Sequence, residues 1–97
     1  MAKEAPFHGR HALVTGGTRG IGLAIARRLI AGGATVTILG RNAERAEETA
    51  REIGAVGFAA ANVTDRDALT EALRKAAAKH GRIAILVNNA GQAESAP

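Results

Sequence analysis

At 97 residues the chain is long enough for one hydrophobic core, and 46% hydrophobic with 23% charged residues is the make-up of a globular domain, not of a disordered or fibrous chain. The absence of cysteine excludes a disulfide framework, thiolate metal sites and a cysteine nucleophile, and no apolar run suits a signal peptide or a membrane span, so a cytoplasmic protein is expected. The net charge of +4 is scattered from Lys3 to Arg82 among nine acidic residues, with Phe7 and Phe58 as the only large aromatic rings, which reads as a solvated surface and excludes a nucleic-acid patch.

Short runs rich in Val, Ile and Leu alternate with helical patterns, the signature of stacked βαβ units around a parallel sheet. The first run, His11 to Thr15, ends at Gly16-Gly17. A helix is predicted from about Gly20 to Ala31, with Ile21, Ala24, Ile25 and Leu29 on its apolar face and Gly32-Gly33 as its stop. Thr35 to Leu39 is rich in β-branched residues and reads as the second strand. Asn42 offers a cap to a second helix in which Ala43, Ala46, Ala50 and Ile53 recur at helical spacing, Glu47 and Arg51 pair outside, and Gly54 closes the end.

Val56 to Ala61 is the third predicted strand. Thr64 is expected to cap a helix running to about His80, with Leu69, Ala72, Leu73, Ala76 and Ala77 as its apolar stripe and Gly81 as its end. Ile83 to Val87 is uninterrupted and apolar, which suits a strand covered on both faces of a sheet. Right-handed crossovers then predict a doubly wound α/β sheet of the Rossmann type, strand order 3-2-1-4, with a crevice between strands 1 and 4. Residues 1–97 thus read as part of a single domain.

Thr15-Gly16-Gly17-Thr18-Arg19-Gly20-Ile21-Gly22 falls where the first strand hands over to the first helix. A helix N-terminus presents unpaired N–H groups and partial positive charge, and glycines let a phosphate approach the backbone. Gly16 is expected to make the tight turn, Gly20 to permit the approach, and Gly22 to pack helix on strand. The spacing Gly-x-x-x-Gly-x-Gly, without a following Gly-Lys-Ser/Thr, excludes the nucleoside-triphosphate loop.

These residues resemble the short-chain dehydrogenases/reductases, whose signature Thr-Gly-x-x-x-Gly-x-Gly is complete here. A second motif of that family, Asn-Asn-Ala-Gly after the fourth strand, stands at Asn88-Asn89-Ala90-Gly91. The stretch Asn62-Val63-Thr64-Asp65 is similar to that of bacterial 3-oxoacyl-carrier-protein reductases. The resemblance implies a dinucleotide site formed by Gly16, Gly17, Thr18, Arg19, Gly20, Ile21, Gly22, Arg41, Asn62, Val63, Asn89, Ala90 and Gly91. In it Asn62 meets adenine by its side chain and Val63 by its backbone, either as that contact or as a plain turn before the helix. Asn89 helps fix the fourth strand beside the cofactor, and Ala90 and Gly91 leave room for the nicotinamide-side ribose. Ala84 stands where the family often has Asp, a departure expected to affect local packing only.

Members that use NAD carry an acid at the end of the second strand, where it binds the ribose hydroxyls and repels a 2'-phosphate. That place is Gly40 here, followed by Arg41, and Arg19 precedes the second motif glycine. With the acid missing and two guanidinium groups available to grip a phosphate, NADP(H) is expected over NAD(H).

The chemistry implied by the resemblance is hydride transfer between the nicotinamide and a ketone or secondary alcohol, with a 3-oxoacyl thioester as one candidate substrate, by a Tyr, Lys and Ser. This chain has no tyrosine, and the family's Tyr-x-x-x-Lys helix would lie beyond Pro97, so no catalytic residue is assigned. The chain is therefore expected to be the cofactor-binding half of a longer one, a homo-oligomer by the same resemblance. A non-catalytic dinucleotide-binding or sensor module is the alternative. His8, His11, His80, Lys75, Lys79 and Ser95 are read as surface residues, and no His, Asp or Glu cluster has the spacing of a metal site.

Overall fold

The computed structural model describes residues 5–89. In chain order these form β1 (His11–Thr15), α1 (Gly20–Ala31), β2 (Thr35–Gly40), α2 (Ala43–Ile53), β3 (Gly57–Ala60), α3 (Arg66–His80) and β4 (Ile83–Asn88). The strands make one parallel sheet in the order β3-β2-β1-β4, the Rossmann-type order expected from right-handed crossovers. The β3 ladder extends past its ends, since the N–H of Val56 donates to the Val36 carbonyl and that of Ala61 to the Gly40 carbonyl.

β1 lies between β2 and β4 and is buried along its whole length. Because successive strand residues point to opposite faces, Ala12 and Val14 join Val36, Ile38, Ala26 and Leu29 under α1 and α2, whereas Leu13 and Leu39 meet Ala72 and Ala76 of α3. The stripe expected on α3 is the one that packs.

Helix α1 packs as expected at Ile25 and Leu29 and departs from expectation at Ile21 and Ala24. It buries Gly22, Ala26 and Leu29, while Ile21 is 71% exposed and Ala24 faces solvent. Small side chains at 22 and 26 let the helix axis approach the sheet, so proximity selected that face over the more hydrophobic one. β4 also departs from a strand covered on both faces. It lies at the sheet edge and alternates half-buried with exposed residues, Leu86 being 56% exposed. Among the described residues no helix is long and apolar enough to cross a membrane.

The amino end of the sheet holds a further correction. His11, read as a surface residue, is buried on the α3 side. Its Nδ1 lies 2.8 Å from the Gly81 carbonyl and its Nε2 2.7 Å from Oγ1 of Thr37. A carbonyl can only accept, so Nδ1 carries the proton and Nε2 accepts from the hydroxyl. The ring of His80 meets that of His11 edge to face, centroids 5.8 Å apart. Partial burial, and then the proximity of His11 and Lys79, hold His80 below its ordinary value of 6.5. His8, Lys75 and Lys79 are exposed as expected, and Ser95 lies outside the described residues.

Candidate functional site

The carboxyl ends of β1 and β4 meet where the chain reverses its direction of progress across the sheet, the usual place for a ligand crevice in an open α/β sheet. Thr15, the last residue of β1, spans this point. Its hydroxyl lies 3.2 Å from the Val87 carbonyl, to which it donates, and accepts from the N–H of Asn89 at 2.9 Å. The Asn89 side chain returns the tie, its Nδ2 donating to the Gly16 carbonyl at 3.4 Å. The glycine turn and the asparagine motif are therefore one hydrogen-bonded junction. Thr15 had drawn attention only as the first letter of a motif, although a polar residue closing an apolar strand was a signal for such a role.

The turn itself leaves no room for side chains at its anchoring positions. Gly16 has φ 67° and Gly20 φ 61°, a region that L-residues rarely adopt. A Cβ on Gly17 would lie 2.9 Å from Cδ1 of Ile38. At Gly22 a Cβ would strike the Gly16 carbonyl and come within 2.8 Å of Nδ2 of Asn89. Gly20, by contrast, is exposed and has nothing within 4 Å of an added Cβ, so open space lies over the start of α1.

That helix start is chemically distinct from the other two. Asn42 caps α2 by accepting from the N–H of Arg45, and Asp65 caps α3 by accepting from the N–H of Ala68. Arg19 occupies the capping position of α1 with extended backbone, supplies no side-chain cap, and no acidic residue stands in the first turn. The first N–H groups of a helix have no intrahelical partner, and the helix dipole adds partial positive charge there. The cradle thus fits a phosphate group by its donors, its field and its lack of side chains.

Around the cradle the other candidates divide. Thr18 is half-buried, and its methyl faces Gly40 at the end of β2, where an added Cβ would lie 3.1 Å from Cγ2. Arg19 and Arg41, each the next residue after one of that pair, are exposed. Among the described residues neither forms an ion pair. Ile21, the second residue of α1, projects its side chain outward.

Asn62 and Val63 follow β3 at the same end of the sheet. Oδ1 of Asn62 accepts from the N–H of Thr64 at 3.0 Å and from its hydroxyl at 2.8 Å, a local Asx turn. Thr64 is engaged there, so the cap expected of it falls to Asp65, one residue on. Val63 is half-buried and packs toward the α3-side core. Asn89 is half-buried at the junction, and Ala90 and Gly91 lie outside the described residues.

Residues 10–97 match the family described as short chain dehydrogenase. The chain is 40% identical over 87 residues to a 3-oxoacyl-acyl-carrier-protein reductase of Chlamydia pneumoniae, covering 86% of this chain and 35% of that protein. It is 40% identical over 90 residues to an NADP-dependent (R)-specific alcohol dehydrogenase of Lentilactobacillus kefiri, covering 90% of this chain and 36% of that protein. Among solved structures it is similar to a citronellol catabolism dehydrogenase of Pseudomonas aeruginosa, with TM-score 0.83 and 36% identity over 92% of this chain and 39% of that one. The chain thus spans about a third of the length of the curated relatives it matches. With its glycine turn, asparagine junction and sheet order in place, this chain belongs to the short-chain dehydrogenase family.

Proposed function

We propose that the crevice binds NADP(H) and that the protein acts in oxidoreduction of a ketone or secondary alcohol, with a 3-oxoacyl thioester as the first substrate to test. On this reading residues 1–97 are the cofactor-binding part of one Rossmann domain. The uncapped start of α1, with Gly16, Gly17 and Gly20 beside it, holds the pyrophosphate through Thr18 and the backbone of Ile21 and Gly22. Asn62 and Val63 line the adenine side, and Asn89, Ala90 and Gly91 the nicotinamide side. When bound, the nicotinamide supplies or accepts the hydride equivalent.

The observation that carries the NADP(H) reading is the end of β2. Gly40 presents no carboxylate, and the two exposed guanidinium groups of Arg19 and Arg41 have no acidic partner among the described residues. A dianionic 2'-phosphate would supply that partner in a charge-assisted, bidentate contact. The NADP-dependent relative from Lentilactobacillus supports the same choice.

The test is a titration of the full native protein with NADPH and NADH, repeated on Arg41→Asp. NADPH is expected to bind the unmodified protein at least about tenfold more tightly, and Arg41→Asp to weaken NADPH by about tenfold or more while favouring NADH. Unchanged dissociation constants for both cofactors in the variant would sink the assignment of Arg41. Saturable NADPH binding without turnover of any ketone or alcohol would favour a non-catalytic dinucleotide-binding module.

A further inference from the structure

The half-buried ring of His80, the last residue of α3, is seated on the sheet at the amino end, away from the crevice. Its Nε2 lies 2.7 Å and its Cδ2 3.3 Å from where a Cβ on Gly57 would be, so the ring fills the space left by the missing side chain at the start of β3. On its other side it meets the imidazole of His11, at the start of β1, edge to face. His11 in turn donates from Nδ1 to the carbonyl of Gly81, the residue after His80. Ring and carbonyl together fasten the last turn of α3, and the turn from it into β4, to the sheet.

The seat suits a neutral ring and not a charged one. No hydrogen bond to an acceptor steadies an imidazolium there, since Nε2 of His11 is already taken by the Thr37 hydroxyl. The charges that surround the ring do not help. Lys75 and Lys79 on α3 and Arg82 after the turn are cations, β2 offers the hydroxyl of Thr37, and β3 offers the bare backbone of Gly57. The carboxylates along the adjoining groove, Glu47 of α2 and Glu71 of α3, are bound to Arg51 at 3.2 Å and to Arg74 at 2.7 Å. Partial burial, then His11 and Lys79, accordingly hold the His80 pKa below 6.5. A charged ring that swings into water recovers its hydration and keeps the favourable field at the end of α3.

We propose that the His80 ring, seated on Gly57 against His11, is a proton-operated latch: neutral, it holds the end of α3 and the turn into β4 on the sheet, and on taking a proton it leaves for water and lets that segment open locally. The ring takes its proton outside the seat and must give it up to dock again. The latch is therefore closed above the ordinary histidine range and released as pH falls through the lower value of the docked ring. It is a property of the amino end alone and does not depend on which cofactor the crevice holds.

Hydrogen exchange of the amides from Ala76 to Ile83, measured in the full native protein as protection relative to α1, tests this. Protection of that segment is expected to fall by about tenfold between about pH 7.5 and about pH 5, while His80→Phe, which fills the seat without a titrating group, abolishes the fall. In Gly57→Ala the new Cβ occupies the seat and the end of the ring is the part that yields. Protection is then expected to be low at both pH values. Protection that does not fall in the unmodified protein, or falls as far in His80→Phe, overturns the latch. So does a Gly57→Ala variant with the pH dependence of the unmodified protein, and that variant decides alone should His80→Phe fail to fold.

Discussion

The two ends of the parallel sheet handle polar groups in opposite ways. At the amino end, His11, Thr37 and the Gly81 carbonyl satisfy one another, and both nitrogens of the buried imidazole are used. At the carboxyl end, Thr15 and Asn89 tie β1 to β4, yet the start of α1 beside them has no side-chain cap. Both ends contain residues that catalysis and binding commonly employ. Only one has donors left over. Unspent hydrogen-bonding capacity, more than residue type, is what distinguishes the end at which the NADP(H) site is proposed.

The comparison is broken most severely at Gly22. A Cβ there strikes the backbone carbonyl of Gly16, which cannot rotate away as a side chain can. Gly22→Ala is expected to cost about 3 kcal/mol in urea denaturation and to weaken NADPH binding by more than about tenfold, since the turn and its helix must separate. A variant of unaltered stability and affinity would show that the junction adapts.

At the other end, His11→Val replaces a buried ring by an apolar side chain and leaves the Thr37 hydroxyl and the Gly81 carbonyl without that partner. A loss of about 2 kcal/mol in unfolding free energy is expected, with the NADPH dissociation constant held within about twofold. A large change in affinity would mean that the two ends are coupled, contrary to the division drawn between them.

The smallest effect is on pH dependence. His80 is held below 6.5 in the folded chain by partial burial and then by the proximity of His11 and Lys79. The unfolded chain therefore takes up the proton first as pH falls, and its contribution to stability, full above about pH 6.5, declines through the window between the unfolded and folded values. Urea midpoints measured across that range are expected to fall on acidification, and His80→Phe to flatten the slope. A slope that the substitution leaves unchanged would assign the acid sensitivity to another group.

Much of this was legible in the linear pattern. Hydrophobic periodicity and glycine punctuation located every strand and helix to within a residue or two, because a βα alternation of short apolar runs admits few topologies. Glycines at 16 and 22 announced a close junction, and Asn42 announced its helix. Local signals erred where two candidates stood side by side. Thr64 and Asp65 both suit a helix cap, and the choice went to Asp65 once Asn62 had engaged Thr64.

The sequence by itself determined the alternation, the order of elements and the presence of a glycine turn between β1 and α1, since these depend on residues near one another in the chain. Tertiary structure alone decided which face of α1 is buried, that His11 points inward, and that the methyl of Thr18 faces Gly40. Each of those outcomes joins residues distant in sequence, and depends on how closely two backbones can approach. That distance is set by packing, and no single segment encodes it.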